Sequence, residues 1–285
     1  VFVTRNGTVK RMSQAALKNI RANGIRALNL DEGDELISVI QTGGDENILI
    51  ATHDGMSVCF NEQDARPMGR TAVGVRGIKL RGDDYVIGAG STSAGSALLT
   101  ITEKGYGKRT PVEEYSVHGR GGLGIKNYNV TDKTGKIADV LVVNDEDDIL
   151  VITDDGTIIR MSAANISLLS RATQGVRIMR IMEGSRVICI EKTDRAIEKA
   201  FLELRSKMPL EKIKIKDLCA LACVNKSTFY AHYEDIYALS SRLEDKLIAD
   251  ILASVSAVEL HPVRTEALTR ELFRAFVQNK TAVNI

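Results

Sequence analysis

Four cations recur at nearly one interval along the first two thirds of the chain: Arg26, Arg76, Lys126 and Arg177, separated by 50, 50 and 51 residues. Side chains of fixed positive charge break no bonds by themselves. An array of them can hold a polyanion, because cations set against a phosphate backbone release its condensed counterions without reading base sequence. Further basic residues, Lys10, Arg11, Arg70, Lys108, Arg109, Arg120 and Arg160, fall in corresponding loops. The net charge of +1 conceals the pattern, since 38 Lys and Arg are offset by 37 Asp and Glu.

That offset is segregated along the chain. Residues 1–30 carry six Lys/Arg and no Asp/Glu, while 31–47 carry six acids and no base. Over four such units the early portions hold 20 basic and 8 acidic residues, and the late portions 4 and 16. Charge sorted on this period predicts a basic stripe along one rim of a repeating structure, a surface for a polyanion with a phosphate backbone.

Two glycine marks show what must position the stripe. "TRNGTVKRM", "THDGMSVCF", "TEKGYGKRT" and "TDDGTIIRM" each place a Thr three residues before a turn glycine, at Gly7, Gly55, Gly105 and Gly156. "NGIRALNL", "VGVRGIKL", "LGIKNYNV" and "QGVRIMRI" repeat a second glycine at Gly24, Gly74, Gly124 and Gly175. Each unit reads as a strand, a glycine turn, a strand, a looser segment, a glycine-introduced strand, an acidic turn and a last apolar strand such as "LISVI". Four-stranded units of this length build propeller-like blades. The blades are expected at roughly 1–47, 48–97, 98–148 and 149–193.

The pattern changes near Thr193. "VICI" at 187–190 is a β-branched apolar run, whereas Ile197, Ala200, Phe201 and Leu204 follow helical spacing. A multidomain chain is expected, with an all-β repeat followed by an all-α part. Helices are expected at 195–207, 216–222 and 226–233, the last two joined by a turn with Asn225 as N-cap, which makes a helix-turn-helix. Leu239, Leu243, Leu247 and Ile251, then Leu268, Leu272 and Phe276, are expected to face inward on later helices.

No apolar run is long enough to cross a bilayer and the start carries no signal-peptide core, so a cytoplasmic protein without a membrane partner is expected. Cys59, Cys189, Cys219 and Cys223 lack a metal or disulfide framework and read as buried thiols. No metal and no cofactor is expected. "GRGGLG" at 119–124 fits the dinucleotide pattern, but the alternating run "IKNYNV" follows it, where that pattern requires a helix.

Residues 1 to about 192 resemble the C-terminal domain of the DNA gyrase A protein, a β-pinwheel, through "NGTVKRM", "ARPMGRTAVGVRGIKL", "NGIRALNLDEGDELISVI", "KGYGKRTPVEEY" and "ITDDGTIIRM". The resemblance implies double-stranded DNA wrapped on the outer rim, and supercoiling only with the remainder of gyrase A and with gyrase B. It is to the last four of six blades; the Gln-Arg-Arg-Gly-Gly-Lys-Gly box of the first is absent, its nearest echoes being "MGRTAVG" and "HGRGGLG". No catalytic residue is expected, and the chain by itself is not expected to be an enzyme.

"IKIKDLCALACVNKSTFYAHYEDIYAL" resembles the DNA-binding domain of the tetracycline-repressor family, over 194–240. The resemblance implies Lys226, Ser227, Thr228, Tyr230 and His232 at the DNA, Phe229 and Tyr233 in the core, and a homodimer built through helices. Ile236 stands where a phosphate-contacting lysine is common, and Cys223 where glycine is common. Residues 241–285 would then begin a shortened regulatory domain, and the chain would join two unrelated modules. Two functions follow as alternatives: a DNA-wrapping module, or a transcriptional regulator.

Overall fold

The computed structural model describes residues 1–17 and 24–256. The chain divides into two compact units, Val1–Lys192 and the residues from Thr193 onward.

The first unit contains β1 (Phe2–Thr4), β2 (Thr8–Lys10), β3 (Leu36–Val39), β4 (Asn47–Thr52), β5 (Met56–Asn61), β6 (Val75–Arg76), β7 (Val86–Ser91) and β8 (Ala97–Thr102). It continues with β9 (Tyr106–Pro111), β10 (Ile125–Lys126), β11 (Ile137–Val143), β12 (Asp148–Thr153), β13 (Ile158–Ser162), β14 (Val176–Arg177) and β15 (Val187–Lys192). They form four antiparallel sheets ordered β3-β1-β2-β6, β10-β5-β4-β7, β11-β8-β9-β14 and β13-β12-β15. This is a four-blade propeller-like arrangement.

Each repeat does not build its own blade. β6, β10 and β14 are two-residue strands that pair with the hairpin of the preceding repeat, as in Thr8↔Arg76, Met56↔Lys126 and Tyr106↔Arg177. The second glycine mark is explained by this exchange. A Cβ on Gly74 would lie 2.6 Å from the Val9 carbonyl oxygen, and on Gly124 2.2 Å from that of Ser57, so a side chain would push the exchanged strand away.

The Thr mark has an equally local cause. Thr4, Thr52 and Thr102 accept, through Oγ1, the N–H of Thr8, Met56 and Tyr106 at 3.1, 3.1 and 3.2 Å, closing each hairpin around its glycine.

Between successive sheets lie three apolar layers. Val3 and Val9 meet Ile48, Ile50 and Phe60; Leu49 and Cys59 meet Leu98, Tyr128 and Val140; Leu99 and Ile101 meet Ile149, Val151 and Ile190. β4 and β8 are buried on both faces, which is why they read as continuous apolar runs rather than alternating ones. Strands β3, β7, β11 and β15 pack in succession on the inner side. Ser38 Oγ accepts the Ala89 N–H at 3.2 Å, and Asp139 accepts that of Ile190 at 2.9 Å.

The second unit contains α1 (Thr193–Arg205), α2 (Ile215–Leu221), α3 (Lys226–His232) and α4 (Ile236–Ser256). Ile197, Phe201, Leu218, Phe229, Tyr233 and Leu239 form its core. Cys223 adopts φ +56° in the turn between α2 and α3 and is exposed, not buried as expected. Asn225 caps α3, accepting the Thr228 N–H at 2.7 Å. Leu243 is buried and Leu247 half-buried, while Leu268, Leu272 and Phe276, and the side chain of Ile251, lie outside the described residues.

Candidate nucleic-acid interface

The sheet orders place β6, β10 and β14 at the edge opposite the inner strands. Their second residues, Arg76, Lys126 and Arg177, are exposed. Three equivalent cations thus stand on the outer edges of three consecutive sheets. Arg26 is also exposed, outside any strand, with Nη1 3.4 Å from Asn29 Oδ1.

A second set of arginines reaches these positions from the loops. Arg120 donates to the Asp64 carbonyl at 2.9 Å and to that of Arg76 at 3.1 Å. Arg171 donates in the same way to the carbonyl of Lys126. Arg70 is exposed. Arg171 was not among the expected residues, yet its signal is plain: it precedes Gly175 by four, as Arg70 precedes Gly74 and Arg120 precedes Gly124.

Other expected contacts are placed elsewhere by the structure. Lys10 is 1% exposed, its ammonium donating to the carbonyls of Ala27, Arg70 and Ala72 at 2.8, 2.8 and 3.0 Å. Lys108 is fully buried, donates to the carbonyls of Ser170 and Arg171, and stands 5.3 Å from the centre of the Tyr128 ring. Burial pushes it down to about 8 and also lowers Lys10. These lysines tie loops together; they are withdrawn from any solvent-borne polyanion. Arg109 is buried, pairs with Asp145, and donates to the Ile166 carbonyl at 2.9 Å. Arg11 pairs with the buried Glu62 at 3.2 Å, and Arg160, although exposed, pairs with Asp148.

The cations therefore sort by partner. Arg5, Arg11, Arg109, Lys136, Arg160, Arg186 and Lys192 meet carboxylates. Among the described residues Arg26, Arg70, Arg76, Arg120, Lys126, Arg171 and Arg177 make no such pair. An unpaired surface cation keeps its full attraction for a phosphate.

In the helical unit Lys226 and Ser227 are exposed, Tyr230 is 53% exposed and His232 is half-buried. Thr228 is buried at 3%, because it lies on the face of α3 that turns toward the core; it cannot serve as an outward phosphate contact. Phe229, Tyr233 and Ile236 are buried. Residues 119–124 lead into β10, not a helix, so the dinucleotide pattern has no structural counterpart. Among the described residues no three His, Cys, Asp or Glu come together as a metal site requires, and no helix is long and apolar enough to cross a membrane.

Comparison with known proteins bears on the first unit. The family model described as "DNA gyrase C-terminal domain, beta-propeller" matches residues 1–42, 46–93, 96–144 and 147–189. The DNA gyrase A protein of Staphylococcus epidermidis (strain ATCC 12228) is 44% identical over 196 residues, covering 68% of this chain. That of Staphylococcus aureus (strain NCTC 8325) is 42% identical over 200 residues, covering 70%. The chain spans 22% of the length of either relative. Among solved structures, a DNA gyrase A C-terminal domain superposes with a TM-score of 0.62 at 25% identity, over 67% of this chain and 64% of that one. The C-terminal domain of DNA topoisomerase IV gives 0.63 at 26%, over 67% and 60%. The four matched segments carry the four repeats that build the exchanged sheets, and through them the chain belongs to the DNA gyrase C-terminal domain β-propeller family.

Proposed function

We propose that the β unit holds duplex DNA by its backbone along the outer strand edges, as part of a DNA gyrase A protein. The observation that carries this reading is the row Arg76, Lys126 and Arg177, exposed on the outermost strands of three consecutive sheets and, among the described residues, without carboxylate partners. Arg26 and the loop arginines Arg70, Arg120 and Arg171 extend it. Equal spacing on successive blades follows a curved path, so a bound duplex bends. Supercoiling would belong to an assembly with the remainder of gyrase A and with gyrase B.

The test is the salt dependence of duplex binding. Replacing Arg26, Arg76, Lys126 and Arg177 together by Ala lowers the slope of log affinity against log salt by about 0.9 for each phosphate no longer neutralised. An unchanged slope overturns the assignment. Wrapping further requires that a duplex of about 100 base pairs bind more tightly than one of about 15, in the same electrostatic regime.

The helical unit supports a second reading, favoured by the capped α3 with Lys226, Ser227 and Tyr230 facing solvent: α3 enters a major groove in a helix-turn-helix contact, with a homodimer supplying paired half-sites. Selection from random duplexes would return a palindrome preferred by about a thousandfold or more over random DNA. Lys226→Ala with Tyr230→Ala would abolish that preference and leave the salt slope of the β unit intact.

A further inference from the structure

A cavity of about 510 Å³ opens beside the third sheet, where β14 lies against β9. Lys104, Lys133, Arg177 and Arg180 line it around Tyr106, with Met179 buried beneath. No carboxylate contributes to its lining. Among the described residues none of these four cations forms an ion pair.

The aromatic ring is already engaged. Arg177 donates to the Tyr106 hydroxyl through Nε and Nη2 at 3.2 and 2.7 Å, its guanidinium lies 5.2 Å from the ring centre, and Lys133 Nζ lies 5.7 Å from it. Tyr106 therefore anchors Arg177 and lies within cation–π range of Lys133, and the face left to a ligand is positive. Lys104 is anchored as well, donating to the Asp132 carbonyl. Anchored cations lose less side-chain entropy on binding than free ones.

This blade departs from its sisters at the residues that make the cavity. The position before the turn glycine is Asn6, Asp54 and Asp155 in the other repeats and Lys104 here. The late turn holds four acids in the first repeat ("DEGDE"), two acids and an Arg in the second ("RGDD"), one Asp and two Lys in the third ("DKTGK"), and one Glu and one Arg in the fourth ("EGSR"). The third turn alone is net positive, and it meets Lys104 at one cavity, a local concentration of charge that a uniform basic rim does not explain.

We infer that this cavity is a seat for two adjacent phosphate groups. Four cations without carboxylate partners exceed what one phosphate can neutralise, and the charges lie on three segments surrounding one space. Two sources have this chemistry: consecutive phosphates of a DNA strand, or the phosphate chain of a free polyphosphate or nucleotide. The site deepens the wrapping reading and rests on it for the first source, since Arg177 belongs to both.

The probe is inorganic tripolyphosphate, titrated calorimetrically into the full chain. Lys104→Asp with Lys133→Asp restores the acidic character of the sister loops at two exposed positions, and should weaken tripolyphosphate by about tenfold or more without lowering Tm. Lys79→Asp with Arg81→Asp, exposed on the second repeat, should leave it unchanged. Displacement of a bound duplex by tripolyphosphate assigns the seat to DNA phosphates; simultaneous binding assigns it to a free polyphosphate. Unaltered tripolyphosphate affinity in the Lys104/Lys133 variant overturns the inference, as does an equal loss in the Lys79/Arg81 control. Failure of wrapping would be read separately, in the salt slope of the Arg26/Arg76/Lys126/Arg177 variant.

Discussion

Asp139 on β11 accepts the backbone N–H of Ile190 on β15 at 2.9 Å, so one carboxyl group fastens the inner strand of the third blade to that of the fourth. A second acceptor oxygen takes its own neighbour's N–H, from Val140, at 2.8 Å. Burial pushes this carboxyl up to about 7, against the lowering effect of both N–H donors and with a further push from Glu191. Between about pH 4 and the folded-state value the folded chain keeps a proton that the unfolded chain has released. Stability from this group is therefore complete below pH 4 and lost as pH rises toward 7. Asp139→Asn keeps an acceptor oxygen for Ile190, loses the one for Val140, and removes the titration. Thermal unfolding should show the stability of the variant relative to the parent rising from pH 4 to pH 8, by on the order of 4 kcal/mol. Parallel profiles across that range would refute a buried titrating carboxyl.

Lys108 predicts the opposite slope. Its ammonium is held at about 8 by burial, below the ordinary lysine value. From about pH 8 to about 10.4 the unfolded chain binds a proton that the folded one lacks, so stability rises with pH in that window. Lys108→Met abolishes the rise, measurable as the difference in Tm between pH 8 and pH 10 relative to the parent. A rise that persists unchanged in the variant would show that another group causes it.

Close approach distinguishes two glycines of similar positive φ. Gly124 has φ +72° and a Cβ there would lie 2.2 Å from the Ser57 carbonyl oxygen; Gly156 has φ +83° and nothing within 4 Å of such an atom. Gly156→Ala should cost only the left-handed strain, about 1–2 kcal/mol. Gly124→Ala must also displace β10 from β5, and should cost more than about 3 kcal/mol. Equal costs in denaturant titrations would mean that β10 does not hold this position.

The repeat was legible because each of its marks answers a local demand: a Thr that closes a hairpin, a glycine that lets a neighbouring chain approach. The exchange of strands was not, since two residues such as Val75 and Arg76 are too few to show a period and their partner lies in another repeat. Formal charge also gave no direction. Lys10 and Lys108 stand where the second repeat has Val58 and the fourth Ile159, and Arg109 stands where the second has the buried Cys59. Read across the repeat, those apolar residues mark inward positions and would have set Lys10, Lys108 and Arg109 apart from the rim, although Arg160, at the position of Arg109 in the fourth repeat, is exposed. Arg171 could have been found by the same alignment. The helix-turn-helix beyond Thr193 offered only the short α2 and α3, and the spacing around α3 places Phe229 and Tyr233 inward but also Thr228, a residue whose small polar side chain suits either side of α3.

Two arginines separate stability from binding. Arg109 is buried, pairs with Asp145 and donates to the Ile166 carbonyl, so Arg109→Gln leaves a buried acceptor short of a donor and should lower stability by about 1–3 kcal/mol. It should leave the salt slope of duplex binding untouched, because no phosphate reaches it. Arg171 is half-buried; its backbone N–H donates to the Glu114 carboxylate at 2.8 Å, while its guanidinium is anchored by the Lys126 carbonyl and forms no ion pair among the described residues. Arg171→Gln should lower that slope by about 0.9, one phosphate's share, while shifting Tm little. Reversed outcomes, with Arg109 governing the slope and Arg171 the melting, would mean that carboxylate pairing does not tell the DNA-facing cations from the structural ones, and the whole sorting of the rim would have to be redrawn.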